Sequence, residues 1–542
     1  MSRAERPPIQ DMTGLAGPHS GEPLNRRSQV AALARLVLTC VAMLMGPVAA
    51  APQAPAPRPA ALHAGQPTKA DLAPPSIAAI AAQVGLPEDA VGVVVAPVRP
   101  RHPGERHLGH GVERALQPAS TIKLMTTLVG LERLGADWRG RTRLLAAGPV
   151  VDGVLQGDWV LEGGADMDLD AAALEALLRQ ARERGVREIR GDLLLDRSLF
   201  NPTRLDVGVP PFDEAPEFAY NLIPDALTVD SNLLRVDVSV DAAGTVQARQ
   251  PLPLPGVQVT SEMAVIEGAC GAAGSVWKIP EVRDRGSGRV EVVLRGAWPR
   301  GCERSLALNV LERDLYIERL VRAQWAALGG RWEGRARESV APGGSTVLAE
   351  RFSRPLGELV HTINKTSNNP MTRTLLLSLG RQLTGADRAL DTRAQGQRAV
   401  RDWFQQRGIP HEGLVVDNGS GLSRSERITP AQLEAVIRAG LSSRWAAEFL
   451  ASLPVLGVDG FKRWRRPDGT VPVSARLKPG GLRNVVSAAG TVDDADGQPT
   501  IVVVIVNHDR AASLARPILD AVIEWVARSR FGATAKDKPA RP

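Results

Sequence analysis

The chain has 542 residues, with 66 Lys+Arg against 59 Asp+Glu and a formal net charge of +7. That mild basic excess suits a polyanionic envelope, and no nucleic-acid motif accompanies it, so no nucleic-acid partner is expected. Only eight of the basic residues are lysines. Arginine stays protonated and cannot act as a general base, so a lysine inside an ordered apolar element goes against the local bias.

Residues 1–50 read as a secretory signal peptide. Arg26, Arg27 and Arg35 precede the apolar run Leu36 to Met45, and Val48-Ala49-Ala50 offers small residues for cleavage. The run is too short for an ordinary transmembrane helix, so no stable membrane span is expected after cleavage, and the mature protein is expected in the periplasm. Residues 51–74 are rich in Ala and Pro and read as a flexible linker. Without residues 1–50 the chain keeps 492 residues (542 − 50), which leaves room for two to four domains.

From Pro75 onward the pattern is globular. Val91 to Val98 reads as a buried strand, and 102–115 as a hairpin. His102, His107 and His110 fall in that hairpin at a spacing that fits no zinc site, and no metal is expected. Then comes Pro118-Ala119-Ser120-Thr121-Ile122-Lys123, followed by Leu124, Leu128, Leu131 and Leu134 at helical spacing. The spacing predicts a helix over 120–134, with Ser120 and Lys123 one turn apart on one face. A serine is a weak nucleophile until a base takes its proton, and a lysine is such a base only when its pKa is lowered. The plainer reading of Ser120 is a helix N-cap. A second Ser-x-x-Lys, Ser275 to Lys278, lies between glycines and Pro280 in a segment that does not read as a helix.

Strand-like 143–151 and 159–162 lead to Gly163-Gly164-Ala165-Asp166, then a helix over 170–184 and a strand at 191–196. Residues 232–310 alternate apolar and polar between turns, which predicts antiparallel β structure, and a helix over 311–328 follows. Cys270 and Cys302 are the two cysteines left after export, which suggests one disulfide. It would close a loop of about 32 residues, worth roughly 3 kcal/mol in the chain-entropy model.

Three further stretches carry chemistry. Ser367-Asn368-Asn369 sits between helical patterns over 356–363 and 371–379, and places a hydroxyl and an amide in one turn. An ordinary Ser/Asn turn is the plainer reading. Asp417 to Arg424 is a tight glycine-containing loop without the context of a phosphate site. Lys478-Pro479-Gly480-Gly481 precedes strands over 485–492 and 500–507 and a helix over 514–529, and puts a cation at the start of an edge strand, suited to an anionic substrate end.

In this order the stretches resemble the penicillin-recognising serine D,D-peptidases, specifically the class C low-molecular-mass penicillin-binding proteins of the penicillin-binding protein 4 type, which are D-alanyl-D-alanine carboxypeptidases and endopeptidases. Ser120 to Lys123 matches SxxK, Ser367 to Asn369 matches SxN, and Lys478-Pro479-Gly480 stands where KTG is expected. The long gap from the first to the second motif, Gly163 to Asp166, Asp417 to Arg424 and Leu453 to Gly460 resemble the subgroup's other features. The resemblance implies an α/β (α+β) fold, an antiparallel sheet packed by helices, split into 75–140 and 346–530. A large mixed α/β insertion would fill 141–345, and 531–542 would be a flexible tail.

It also implies a cofactor-free enzyme acting on peptidoglycan stem peptides, with β-lactams as covalent inhibitors. Ser120 would be the nucleophile, Lys123 its base and Ser367 a proton relay. Asn369, Lys478, Gly480 and Gly481 would bind substrate, and the N–H groups of Ser120 and Gly481 would form the oxyanion hole. The departures are Pro479 and Gly481, where hydroxyls usually help hold the substrate carboxylate, Pro370 to Arg373, where an acidic residue often follows SxN, and Phe461 in place of Thr. A β-lactamase or esterase of the same superfamily and a non-catalytic cell-wall binding protein are the alternatives. Both tyrosines, Tyr220 and Tyr316, lack the Tyr-x-Asn pattern of one β-lactamase branch.

Overall fold

The run Ile501-Val502-Val503-Val504-Ile505-Val506 is β-branched at every position, and such side chains favour the pleated strand. All six residues are buried, so the strand must be covered on both faces. In the computed structural model it forms Pro499–Asn507, the middle of a five-stranded antiparallel sheet. The model describes residues 72–207, 216–270, 277–385, 387, 389–459 and 473–531. The expected signal peptide, the linker up to 71, Ser275 and Val276, Phe461 and the tail beyond Phe531 lie outside the described residues.

The sheet runs Ala475–Leu482, Val485–Asp493, Pro499–Asn507, Val91–Pro97 and Leu108–His110. Its period of two divides the core. Ile501, Val503 and Ile505 join Val94 and Ala96 on one face, against the helices Lys123–Leu134, Leu356–Thr366, Thr392–Gln406 and Pro430–Ser442. Val502, Val504 and Val506 join Val91, Val93 and Val95 on the other, against Ile77–Val84 and Arg516–Arg528. Complete burial of one such side chain contributes about 1.5–3 kcal/mol, which makes this three-layer packing the main stabilising term.

The segment between strands and helices of this sheet, from Arg141 to Phe352, carries its own core built around Trp159, Trp325 and Trp332. A five-stranded sheet orders Ala336–Glu338, Leu193–Asp196, Asp158–Gly164, Arg141–Ala147 and Thr346–Phe352. Its first and last strands in the chain pair antiparallel, with Arg141 opposite Phe352. The chain therefore leaves and re-enters at one place, where Gly140 N donates to Ser353 Oγ (2.9 Å) and Ser353 N to Gly140 O (2.9 Å). Helices Ala171–Glu183 and Arg313–Ala327 pack within this region.

The expectation of antiparallel structure throughout 232–310 is corrected in part. Leu234–Val240 pairs antiparallel with Val246–Arg249 and Arg304–Leu308, but Val257–Ser261 and Ala264–Ile266 both run parallel to Val290–Pro299. Alternation reports that one face of a strand is buried; it carries no information on the direction of the neighbour. Lys278 lies on the strand Trp277–Asp284, not on a helix. Cys270 and Cys302 form a disulfide with Cα atoms 4.9 Å apart. Among the described residues no helix is long and apolar enough to cross a membrane.

Candidate active site

Ser120 does not open the α-helix directly. Ala119, at φ 47°, starts a 3-10 turn over Ala119–Ile122, and the α-helix begins at Lys123. A non-glycine residue at positive φ persists only where its surroundings hold it. Here the sheet does so. Asn507 pairs with the Gln117 main chain through Oδ1 (2.7 Å) and Nδ2 (2.9 Å), and Ser487 Oγ donates to Pro118 O (2.7 Å). The strand Ala475–Leu482 comes so close that a Cβ on Gly480 would lie 2.2 Å from Ser487 Oγ and 3.0 Å from Ser120 N. Only glycine permits that approach.

Lys123 is buried completely, yet its amine has three partners. Nζ lies 3.0 Å from Ser120 Oγ, 2.6 Å from Asn369 Oδ1 and 2.5 Å from Ser420 O. The two carbonyl oxygens can only accept, so they take two N–H groups whatever the charge. The third position faces Ser120. In the neutral amine that position is the lone pair, and the Ser120 hydroxyl donates to it. Burial pushes the amine down to about 7; Glu426 opposes the shift and Arg373 adds to it.

Ser367 and Asn369 were expected to share an extended turn. They sit instead at a tight junction between two helices. Leu356–Thr366 ends at Ser367 in the left-handed conformation (φ 57°), Asn368 caps the next helix by accepting from Met371 N (2.9 Å), and Asn369–Thr384 begins with Pro370 in its first turn. Proline suits that position because its missing N–H would have no partner there. Asn369 is engaged at both ends: besides Lys123, its Nδ2 donates to Tyr220 O (3.0 Å), a main-chain oxygen of the inserted segment. Arg373, one turn further, donates to Leu222 O (3.0 Å).

Lys478 lies in the middle of its strand and is fully buried, rather than exposed at its start. Its Nζ donates to Ser367 Oγ (2.9 Å) and Pro479 O (3.1 Å). Burial, reinforced by the charge of Lys123, pushes its pKa well below the ordinary amine value. The strand is at the sheet edge. Leu477 N reaches outward to Pro454 O (2.9 Å), so by alternation the main-chain groups of Pro479 and Gly481 also point to the open edge. A Cβ on Gly481 would meet nothing within 4 Å. Arg483, which its spacing two residues past Gly481 would put on the same side of the strand as a further cation for the substrate carboxylate, lies instead in the turn after the strand.

Ser120, Lys123, Ser367, Asn369, Lys478, Gly480 and Gly481 are thus brought together where the edge strand meets the Ser120 turn. Sequence reading passed over Ser420 O and Tyr220 O, which are main-chain atoms and leave no signal in residue type. It also passed over Glu426, two residues beyond a stretch that was singled out.

The profile described as the D-Ala-D-Ala carboxypeptidase 3 (S13) family matches residues 74–529. A D-alanyl-D-alanine carboxypeptidase of an Actinomadura species is 30% identical over 434 residues, 75% of this chain and 76% of its own. D-alanyl-D-alanine carboxypeptidase DacB of Haemophilus influenzae is 25% identical over 394 residues, 72% of this chain and 80% of its own. Among solved structures, penicillin-binding protein 4 (dacB) of Haemophilus influenzae superposes with a TM-score of 0.66 at 23% identity, covering 83% of this chain and 99% of that one. The same protein complexed with a β-lactam gives 0.63 at 22% identity, covering 82% and 99%. These two likenesses concern the fold.

Proposed function

Since the chain belongs to the D-Ala-D-Ala carboxypeptidase 3 (S13) family, a family of serine-type hydrolases, we propose that it is exported and cleaves the D-Ala-D-Ala ends, and D-Ala cross-links, of peptidoglycan stem peptides through an acyl-enzyme on Ser120. The observation that carries this reading is the buried Lys123 amine, 3.0 Å from Ser120 Oγ, with its other two positions taken by acceptors and its pKa brought down to about 7.

In this reading neutral Lys123 takes the Ser120 proton as Oγ bonds to the D-Ala carbonyl carbon. The N–H groups of Ser120 and Gly481 hold the developing oxyanion, and the outward alternation of the Gly481 main chain supports that role. As the C–N bond breaks, the proton that Lys123 took passes through Ser367, whose hydroxyl accepts from Lys478, to the leaving amine, and Lys123 is neutral again. Water then adds to the ester with Lys123 again as base, and releases the acid. Asn369 fixes the Lys123 amine and gives one N–H of Nδ2 to Tyr220 O, so its second N–H is the one to offer to a substrate carbonyl. A catalytic domain split around a large insertion, expected as 75–140 and 346–530 around 141–345, belongs to the same proposal; the separate hydrophobic cores support the split, with the strand Thr346–Phe352 on the side of the insertion. Periplasmic action follows from the signal-like residues 1–50.

A strained β-lactam amide presents the same carbonyl to Ser120, so penicillin is proposed to acylate the enzyme. Fluorescent penicillin should label the wild-type protein and not Ser120→Ala, and only the wild type should release D-Ala from a pentapeptide. Labelling that survives in Ser120→Ala would overturn the assignment of the nucleophile.

A further inference from the structure

Glu426 is a carboxylate with no exposure, and nothing in the reaction above uses it. Its Oε1 accepts from Asn418 N (3.1 Å) and Gly419 N (2.6 Å), and its Oε2 from Gly421 N (2.7 Å). Three main-chain donors on one carboxylate fix the loop around it. The same loop turns its Ser420 carbonyl to Lys123. It is pinned from the Lys123–Leu134 helix by Thr126 Oγ1, which donates to Gly419 O (2.7 Å). Gly421 presses on the Ser120 turn: a Cβ there would lie 1.9 Å from Ala119 O. The loop thus touches both members of the Ser120–Lys123 pair, and Glu426 holds it.

We propose that Glu426 is a positioning residue for Lys123: it shapes the 417–421 loop that supplies one of the amine's acceptors, and its buried charge is offset by Arg373, so that Lys123 stays neutral enough to accept the Ser120 proton. The inference rests on the reading of Lys123 as the base.

The charges around the cluster come from every packed element. The loop itself carries Asp417, which pairs with Arg393 of the Thr392–Gln406 helix at 3.6 Å. Lys123 comes from its own helix, Arg373 from Asn369–Thr384, and Lys478 from the edge strand. Burial lowers Arg373 to about 10, and Asp417 and Glu426 both act to keep its charge. Burial raises Glu426 to about 7 against its three N–H donors, and Asp417 adds to the rise. One arrangement leaves the buried centre near neutral: Arg373 charged, Glu426 charged, Lys123 neutral. Bringing net charge into such a centre costs several kcal/mol, so the three groups titrate together. Without Glu426 the guanidinium faces Lys123 uncompensated. Without Arg373 the carboxylate draws a proton onto Lys123.

The test is the pH profile of penicillin acylation from about pH 5 to about pH 9, in wild type, Glu426→Gln and Arg373→Gln. The two variants are expected to move the acid limb in opposite directions. Glu426→Gln shifts it to lower pH and Arg373→Gln to higher pH, each by about one unit. Glu426→Gln also lowers the plateau rate, because an amide offers one acceptor oxygen where the carboxylate has two. Loss of a purely structural support would lower the plateau and leave the limb in place. An unmoved limb in the variants overturns the inference, while the acylated wild type keeps the proposed function standing. If Glu426→Gln does not fold, Arg373→Gln alone decides, by the sign of its shift. A wild-type protein that is not acylated at any pH refutes the proposed function and this inference together.

Discussion

Asn369→Asp replaces a single nitrogen by oxygen and tests the charge state of Lys123 directly. The replaced nitrogen donates to Tyr220 O, and the retained oxygen lies 2.6 Å from Lys123 Nζ. An opposite charge at that range raises a lysine pKa by about 1–3 units. Starting from about 7, about half of the Lys123 amine is neutral at neutral pH. A rise to roughly 8–10 leaves between roughly 9% and 0.1% neutral. Acylation by penicillin at neutral pH should therefore fall by roughly 5-fold to 500-fold. The sign follows from the role: the cation cannot accept the Ser120 proton, so activity appears only as pH rises through the lysine pKa. The acid limb should move to higher pH, and raising the pH should restore most of the lost rate. Timed acylation and D-Ala release across pH measure both. Loss of the Tyr220 contact adds a component that does not depend on pH. If the whole loss is the same at every pH, or if there is no loss, then Lys123 is not the base and Asn369 serves only to tie the inserted segment to the helix.

Two other variants address the geometry. Gly421→Ala places a Cβ against the main chain of Ala119 and Ser120, at a position of φ +85°, so it should destabilise the protein by at least about 2 kcal/mol in urea unfolding and slow acylation; wild-type stability would refute the close approach. Pro479→Thr with Gly481→Ser should add two hydroxyls on one face of the edge strand, with room for the second since nothing lies within 4 Å of a Cβ there. One charge-assisted hydrogen bond of about 1.5 kcal/mol would raise kcat/KM on a D-Ala-D-Ala peptide by roughly tenfold, and penicillin acylation by less; an unchanged peptide rate would move carboxylate recognition to another part of the cleft.

The sequence by itself determined the strands and helices whose side chains repeat a period, and the identity of the family. Val91 to Val98 and 500–507 were legible as strands because β-branched runs can pack in few other ways. Ser120 and Lys123 were legible as a pair because three residues make about one turn, and the 3-10 start preserves that contact. Gly480 was named by its motif, while its physical reason, a strand so near the Ser120 turn that a Cβ would lie 3.0 Å from Ser120 N, appeared only in the packing.

Tertiary structure alone decided the rest. Parallel pairing against Val290–Pro299 could not be read, because a strand's own residues do not record the direction of its neighbour. Ser420 O and Tyr220 O could not be read, because every residue carries the same main-chain oxygen and only the fold aims it. The lowered pKa of Lys123 belongs to no single stretch. It is the work of desolvation by elements far apart in the chain, opposed by Glu426 and reinforced by Arg373, and electrostatics of that kind depends on distance in space rather than in sequence.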